Sequence, residues 1–169
     1  MNDLVKNETA LGMKNVHLIP KAAATRDGTI SFFLTKGQGL GIQKDRVPNS
    51  NCDPNSAYNP SGASTLYGGA QRAGEEVQVP AVDFLAWFKS LNLQAGDIVH
   101  VKADIEGAEV DILEAFLADD TNQICLWSQF WTEYHASIFP DKNSAEYKRH
   151  SEFEKSFPGE FEKKCGRMP

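Results

Sequence analysis

Three carboxylates, Asp104, Glu106 and Glu109, fall within six residues of one another in the run Val101-Lys102-Ala103-Asp104-Ile105-Glu106-Gly107-Ala108-Glu109. Glu133 and His135 follow later in the chain and add a further carboxylate and an imidazole. Carboxylates and imidazole accept and release protons, and imidazole is the side chain that changes charge nearest neutral pH. Asp104, Glu106, Glu133 and His135 are therefore the candidate catalytic residues, as proton acceptors or as groups that orient a reacting hydroxyl. The same four are oxygen and nitrogen donors of the kind that Mg²⁺ or Mn²⁺ takes. Binding a metal needs distances that a sequence does not carry, and no metal is assigned from it. Glu109 reads as a first-turn helix charge, and His17 and His100, which sit in strand patterns, read as structural.

These side chains need elements to hold them. Ile98 to Ala103 is short and apolar, whereas Ile105 to Leu117 repeats with the period of a helix, so a strand feeds a helix at the acidic run. In an open α/β sheet ligands bind at the carboxyl ends of the strands, where Asp104 and Glu106 would lie. Acidic residues in a first helical turn are also favoured by capping and by the macrodipole, whatever the function. Gln123 to Phe130 is apolar on both parities, the pattern of a strand covered on both faces, and it leads to Glu133 and His135. Asp83 caps an expected helix Phe84 to Leu91. Val16 to Ile19 and Thr29 to Leu34 read as strands joined through an Asp27-Gly28 turn, and Val77 to Val79 as another. Leu4 to Leu11 is weakly helical.

Thr35 to Glu76 is rich in Gly, Asn, Ser and Pro and reads as a long loop, expected to order over Asp104 and His135. Its Gly37-Gln38-Gly39-Leu40-Gly41 run is followed by no helical pattern and fails as a nucleotide-binding turn. Asn143 and Glu146 suggest a capping box for a helix to about Phe157, ended by Pro158-Gly159. Tyr147, His150, Phe153 and Phe157 share one face of that helix and read as core. The expected core is Ile98, Val99, Val101, Ile124 and Leu126, covered by Phe84, Trp87, Phe88, Ile112, Leu113 and Phe116.

Lys102-Ala103-Asp104-Ile105-Glu106-Gly107-Ala108-Glu109 with Ile112-Leu113 resembles the signature of the FkbM family of S-adenosylmethionine-dependent methyltransferases. Three further pieces follow that family's order and spacing: Asn15 to Ala23 with Arg26 to Phe32, Ser64-Thr65-Leu66 with Val77 to Asp83, and Glu133-Tyr134-His135. The likeness runs from about Leu4 to His135. It implies a Rossmann-like sheet with helices on both faces, S-adenosylmethionine as cofactor, and O-methylation of a glycan or small-molecule hydroxyl. The family's first two strands, with their Gly-rich turn, have no counterpart here, so the expected domain over residues 1–169 is N-terminally incomplete. Without those strands the strand at Val16 to Ile19 loses its neighbours, which leaves either an incomplete copy or a smaller, re-paired sheet. A non-catalytic remnant or interaction domain is the alternative reading.

The 169 residues suit one domain, and 41% hydrophobic with 24% charged residues is ordinary globular composition. A net charge of −6 with no basic stripe argues against a nucleic-acid partner. Cys52, Cys125 and Cys165 are too few and scattered for a disulfide framework. Reduced thiols, no secretory signal and no membrane-length apolar run give a cytoplasmic expectation with no membrane partner.

Overall fold

The structure is a computed structural model and describes residues 16–35, 73–105 and 107–167. The expectations for Leu4 to Leu11, Gly37 to Gly41, Cys52, Glu106 and most of the Thr35 to Glu76 loop lie outside the described residues.

Within them the chain is mixed α/β, with two small sheets and three α-helices. The strands are β1 (Ala22–Ala24), β2 (Gly28–Thr35), β3 (Ala73–Asp83), β4 (Val99–Ala103) and β5 (Trp127–Thr132). The helices are α1 (Phe84–Ser90), α2 (Glu109–Ala118) and α3 (Ala145–Cys165), with single 3-10 turns at Gln123–Leu126 and Ala136–Ile138. β3 is central in the first sheet, parallel to β1 and antiparallel to β2. β4 and β5 pair in parallel, with α2 between them in sequence, which makes a β-α-β unit.

The first sheet departs from expectation at both ends. Residues 16–20 form no strand, and Val16 and Leu18 are exposed. β1 instead begins at Ala22 and pairs Ala22 to Ala24 with Ala81 to Asp83. The Asp27-Gly28 turn does lead into β2, and Gly28 has φ 134°, a backbone state that a Cβ resists. β1 and β2 do not pair with each other, because both take β3 as partner. β3 extends well beyond Val77 to Val79, since its backbone follows β2 out to the Thr35–Ala73 pair. Pro80 lies just before the stretch that β1 joins, where β3 has only β2 beside it, so its missing N–H is tolerated. Asp83 then ends β3 and caps α1 as expected, its Oδ1 accepting from the Ala86 N–H at 2.9 Å.

β5 is covered on one face only. Gln123–Leu126 is a 3-10 turn, and the β4–β5 register shifts between the Val99–Trp127 and His100–Gln129 pairs. Ser128 is the extra residue of this bulge, and its hydroxyl accepts from the Val99 N–H at 3.0 Å. The bulge turns Trp127 and Phe130 to the same inner face, which explains why both parities read as apolar. Gln129 and Trp131 face out with His100 and Lys102, and Trp131 is 51% exposed. Ile98, expected in the core, precedes β4 and is 82% exposed.

The inner face meets all three helices. Phe88 of α1, Leu113 and Phe116 of α2, Ile124, Trp127 and Phe157 of α3 are buried together. The Phe116 and Trp127 rings lie 4.9 Å apart between centroids. Arg149 joins α3 to α2 through Asp111 (2.6 Å) and Glu114.

α3 is longer than its sequence suggests. Its cap is Ser144, whose hydroxyl accepts from the Tyr147 N–H at 3.1 Å, in place of the Asn143–Glu146 pair. It also continues through Pro158 to Cys165. An interior proline costs a helix about 3 kcal/mol. Burying Phe157 and Phe161 on the same face contributes roughly 1.5–3 kcal/mol each and offsets that cost. Cys165 closes a disulfide to Cys125, against the expectation of free thiols, and so removes the thiol argument for a cytoplasmic location. Among the described residues no helix is long and apolar enough to cross a membrane.

Candidate functional site

The carboxyl ends of β4 and β5 lie side by side, and the two strands run on into the site. Ala103 pairs with Thr132, and the Glu133 N–H donates to the Ala103 carbonyl at 3.2 Å. Strand alternation then places Asp104 beyond β4 and Glu133 beyond β5, both exposed. His135 follows two residues later, just before the 3-10 turn Ala136–Ile138, with its side chain 12% exposed.

Glu109 organises this end of the sheet. β4 does not pass directly into a helix, because α2 starts only at Glu109 and Gly107 takes φ 105°, which only glycine adopts readily. Asp104 is not the helix cap, since the N-cap is Ala108, which has no capping side chain. The Glu109 carboxylate turns back into the loop instead. It accepts from the Gly107 N–H at 2.8 Å (Oε2) and the Ile105 N–H at 2.9 Å (Oε1). Its Oε1 also lies 2.9 Å from His135 Nδ1. Burial raises the Glu109 pKa, but the His135 hydrogen bond, the backbone donors and the His135 charge outweigh it and hold the carboxyl below its ordinary value.

An ionised carboxylate only accepts, so Nδ1 is the donor to Glu109. That assignment turns the other ring nitrogen outward, and Nε2 lies 3.8 Å from Asp104 Oδ1. Asp104, Glu133 and His135 each bring one donor atom to within 4.8 Å of the others. Lys102 Nζ stands 3.4 Å from Asp104 Oδ2 on an exposed side chain, an ion pair that solvent screens heavily.

Of the four candidate residues, three converge, and Glu106 lies outside the described residues. Glu109 is a first-turn helix charge, as its place in the sequence suggests, and it is also the fully buried centre of the network, at 1% exposure. The signal for it was in the sequence: 109 falls on the helical stripe with 105, 112, 113 and 116, so the apolar period itself carries Glu109 inward. His100 packs on Trp131 at the exposed face, and His17 lies in the irregular segment before β1.

Two recesses flank Ile112 of α2. A polar cleft of about 370 Å³ is lined by Arg26, Thr29, Ser31, Gln78 and Asp111. An apolar recess of about 80 Å³ borders Glu109 between the two sheets, lined by Ala23, Phe84, Val101, Ile105 and Trp127 among others.

No known protein family, no curated protein and no solved structure matches the chain.

Proposed function

We propose that the chain is a methyltransferase-like domain of Rossmann type. In this reading it moves the methyl group of S-adenosylmethionine to a hydroxyl of a glycan or small molecule. The observation that carries the proposal is the partly buried Glu109–His135 hydrogen bond at the carboxyl ends of two parallel strands. It fixes the imidazole tautomer beside Asp104, where an acceptor oxygen would bind. The β4-α2-β5 unit is the building block of a doubly wound sheet, and the acidic cluster suits a positively charged sulfonium donor.

S-adenosylmethionine, when bound, would supply the methyl group to the acceptor oxygen with its sulfur as the leaving group. The Asp104–His135 cluster would hold the acceptor hydroxyl and draw off its proton. Alignment of oxygen, methyl and sulfur supplies most of the rate, and a positioned proton acceptor adds about 10²–10⁴-fold.

The test is release of S-adenosylhomocysteine by the chain at millimolar S-adenosylmethionine, over a panel of saccharides and small alcohols. Release should depend on the acceptor and fall about 10²–10⁴-fold in Asp104→Asn, whose exposed side chain lies outside the Glu109 network, at an unchanged urea midpoint. No release with any acceptor would instead favour an interaction domain without catalysis. One observation supports that second reading: Glu109 already occupies the Ile105 and Gly107 N–H groups, leaving this strand–turn–helix junction without them to grip a cofactor.

A further inference from the structure

We propose that Asp104, Glu133 and His135 form a divalent-cation site of the Mn²⁺ or Mg²⁺ class, with Glu109 as the outer-sphere carboxylate that fixes the histidine. Two carboxylate oxygens and one imidazole nitrogen are a donor set such ions accept. Exposed acids gather on many surfaces without binding an ion, and three features separate this cluster from those.

The first is convergence. The donor atoms lie within 4.8 Å of one another, and Asp104 Oδ1 is 3.8 Å from His135 Nε2. Ligands about 2.1 Å from one metal stand roughly 3.0 Å apart at right angles and 4.2 Å apart when opposed. The Asp104–His135 distance of 3.8 Å lies between these two values, and a spacing of 4.8 Å has to close by about 0.6 Å to reach even the opposed one, a movement that falls to the exposed carboxylates.

The second is orientation. A histidine that binds metal through one ring nitrogen characteristically donates the other N–H to a carboxylate, which sets tautomer and ring angle. Glu109 does this for His135, from outside the cluster and fully buried. Glu109 is itself held by the Ile105 and Gly107 N–H groups, so it stays behind the ring and does not compete for the ion. The third is anchorage: Asp104 and Glu133 extend from two strand ends that the Ala103 carbonyl ties together.

Three protein donors leave the remaining positions of an octahedral ion to water or to an acceptor oxygen. The proposal deepens the methyl-transfer reading by naming what would hold the acceptor hydroxyl. With the ion bound, His135 Nε2 is a ligand, and a carboxylate oxygen of Asp104 or Glu133 would take the hydroxyl proton in its place. Whether the ion binds does not depend on that reading.

The experiment titrates the whole 169-residue chain with Mn²⁺ and follows loss of the free-ion electron paramagnetic resonance signal, with no cofactor or acceptor present. Saturable binding of one ion is expected, displaced by Mg²⁺ and weakened at least tenfold in Asp104→Asn and in Glu133→Gln. Glu109→Gln, which touches no ion, should weaken it by about 10–100-fold at an unchanged far-ultraviolet spectrum. Should that buried variant fail to fold, the two exposed variants carry the test alone. No binding at about 1 mM free Mn²⁺, where even weak oxygen sites fill, overturns the proposal. So does an affinity unchanged in Asp104→Asn and Glu133→Gln. Mn²⁺ binding by a chain that transfers no methyl group upholds the site and removes only the methyl-transfer reading. Methyl transfer without Mn²⁺ binding does the reverse.

Discussion

At the residue scale, Glu109 decides how the acidic run works, and its environment gives the first prediction. Three donors converge on one buried carboxylate: two backbone N–H groups and His135 Nδ1. Glu109→Ala leaves all three without their acceptor in a largely buried site, so a loss of about 3–5 kcal/mol is expected from urea unfolding. A loss under about 1 kcal/mol would return Glu109 to the surface role that its place in a first helical turn suggests. The converging groups Asp104, Glu133 and His135 were legible from residue type and from their position at strand ends. The inner carboxylate was harder to see, because charge argued for the surface while period argued for the core. The second prediction concerns His150, which is buried against Phe139. Burial, then the Arg149 charge, lower its pKa below 6.5, against the opposing pull of Asp111, Glu109 and Glu114. As pH falls below that value the unfolded chain gains the proton before the folded one does, so this contribution to stability shrinks with acid. His150→Phe keeps the ring contact and removes the titration. The variant should therefore gain on the parent protein as pH is lowered from about 7.5 to 5.5, and parallel stability curves over that range would sink the assignment.

At the element scale, α3 shows a long-range tie overruling a local stop signal. Pro158-Gly159 reads as a helix end, and Tyr147, His150, Phe153 and Phe157 read as one buried face. The second pattern wins, because it continues to Phe161, and Phe161 and Cys165 are fixed against the Gln123–Leu126 turn and β5. Arg167 closes the arrangement beyond the helix, donating to the Cys125 and Trp127 carbonyls and lying over the Phe161 ring. A sequence gives no sign of which cysteines meet, so neither the bridge nor the extra helical turns could be read from it. The bridge spans 40 residues, and the loop-entropy argument assigns such a crosslink about 4 kcal/mol. Cys165→Ser should thus lose about 3–4 kcal/mol in urea unfolding and become insensitive to reductant, whereas the parent protein loses a similar amount when reduced. Equal sensitivity of the two proteins to reductant would show that the bridge is not what holds the end of α3. The bulge at Ser128 has the same character: one inserted residue changed which side chains of β5 face inward, and a period-2 reading has no means of counting it.

At the scale of the whole molecule, strand-by-strand reading found most of the elements, while their assembly into sheets was the part it could not supply. β2, β4, α1 and α2 lie within a few residues of their expected places, since each rests on local period and, for α1, on its Asp83 cap. Sheet membership rests on pairing between distant segments, and here β3 joins both β1 and β2 while β4 pairs with β5. That division bears on the cofactor. A site that encloses a ligand of nucleoside size generally offers about 300–1,000 Å³. The recess that borders Glu109 between the sheets holds about 80 Å³, and its lining is apolar. The larger cleft lies across Ile112 and is lined by Arg26 and hydroxyl groups. The backbone donors of the strand–turn–helix junction are already engaged by Glu109, so an entering nucleoside would have to compete for them. Opening the recess means separating Phe84, Val101 and Trp127, which also pack against or lie within the core. Each 1.4 kcal/mol or so spent on that opening weakens binding tenfold, and about 4 kcal/mol carries a micromolar ligand to the millimolar range. Titration calorimetry of the 169-residue chain should therefore give a dissociation constant for S-adenosylmethionine of about 1 mM or weaker. The constant should change little in Arg26→Ala, because the polar cleft is not where the sulfonium would sit. Micromolar affinity would mean that the two sheets part more readily than their shared apolar lining allows, and a large loss in Arg26→Ala would move the cofactor to the far side of Ile112.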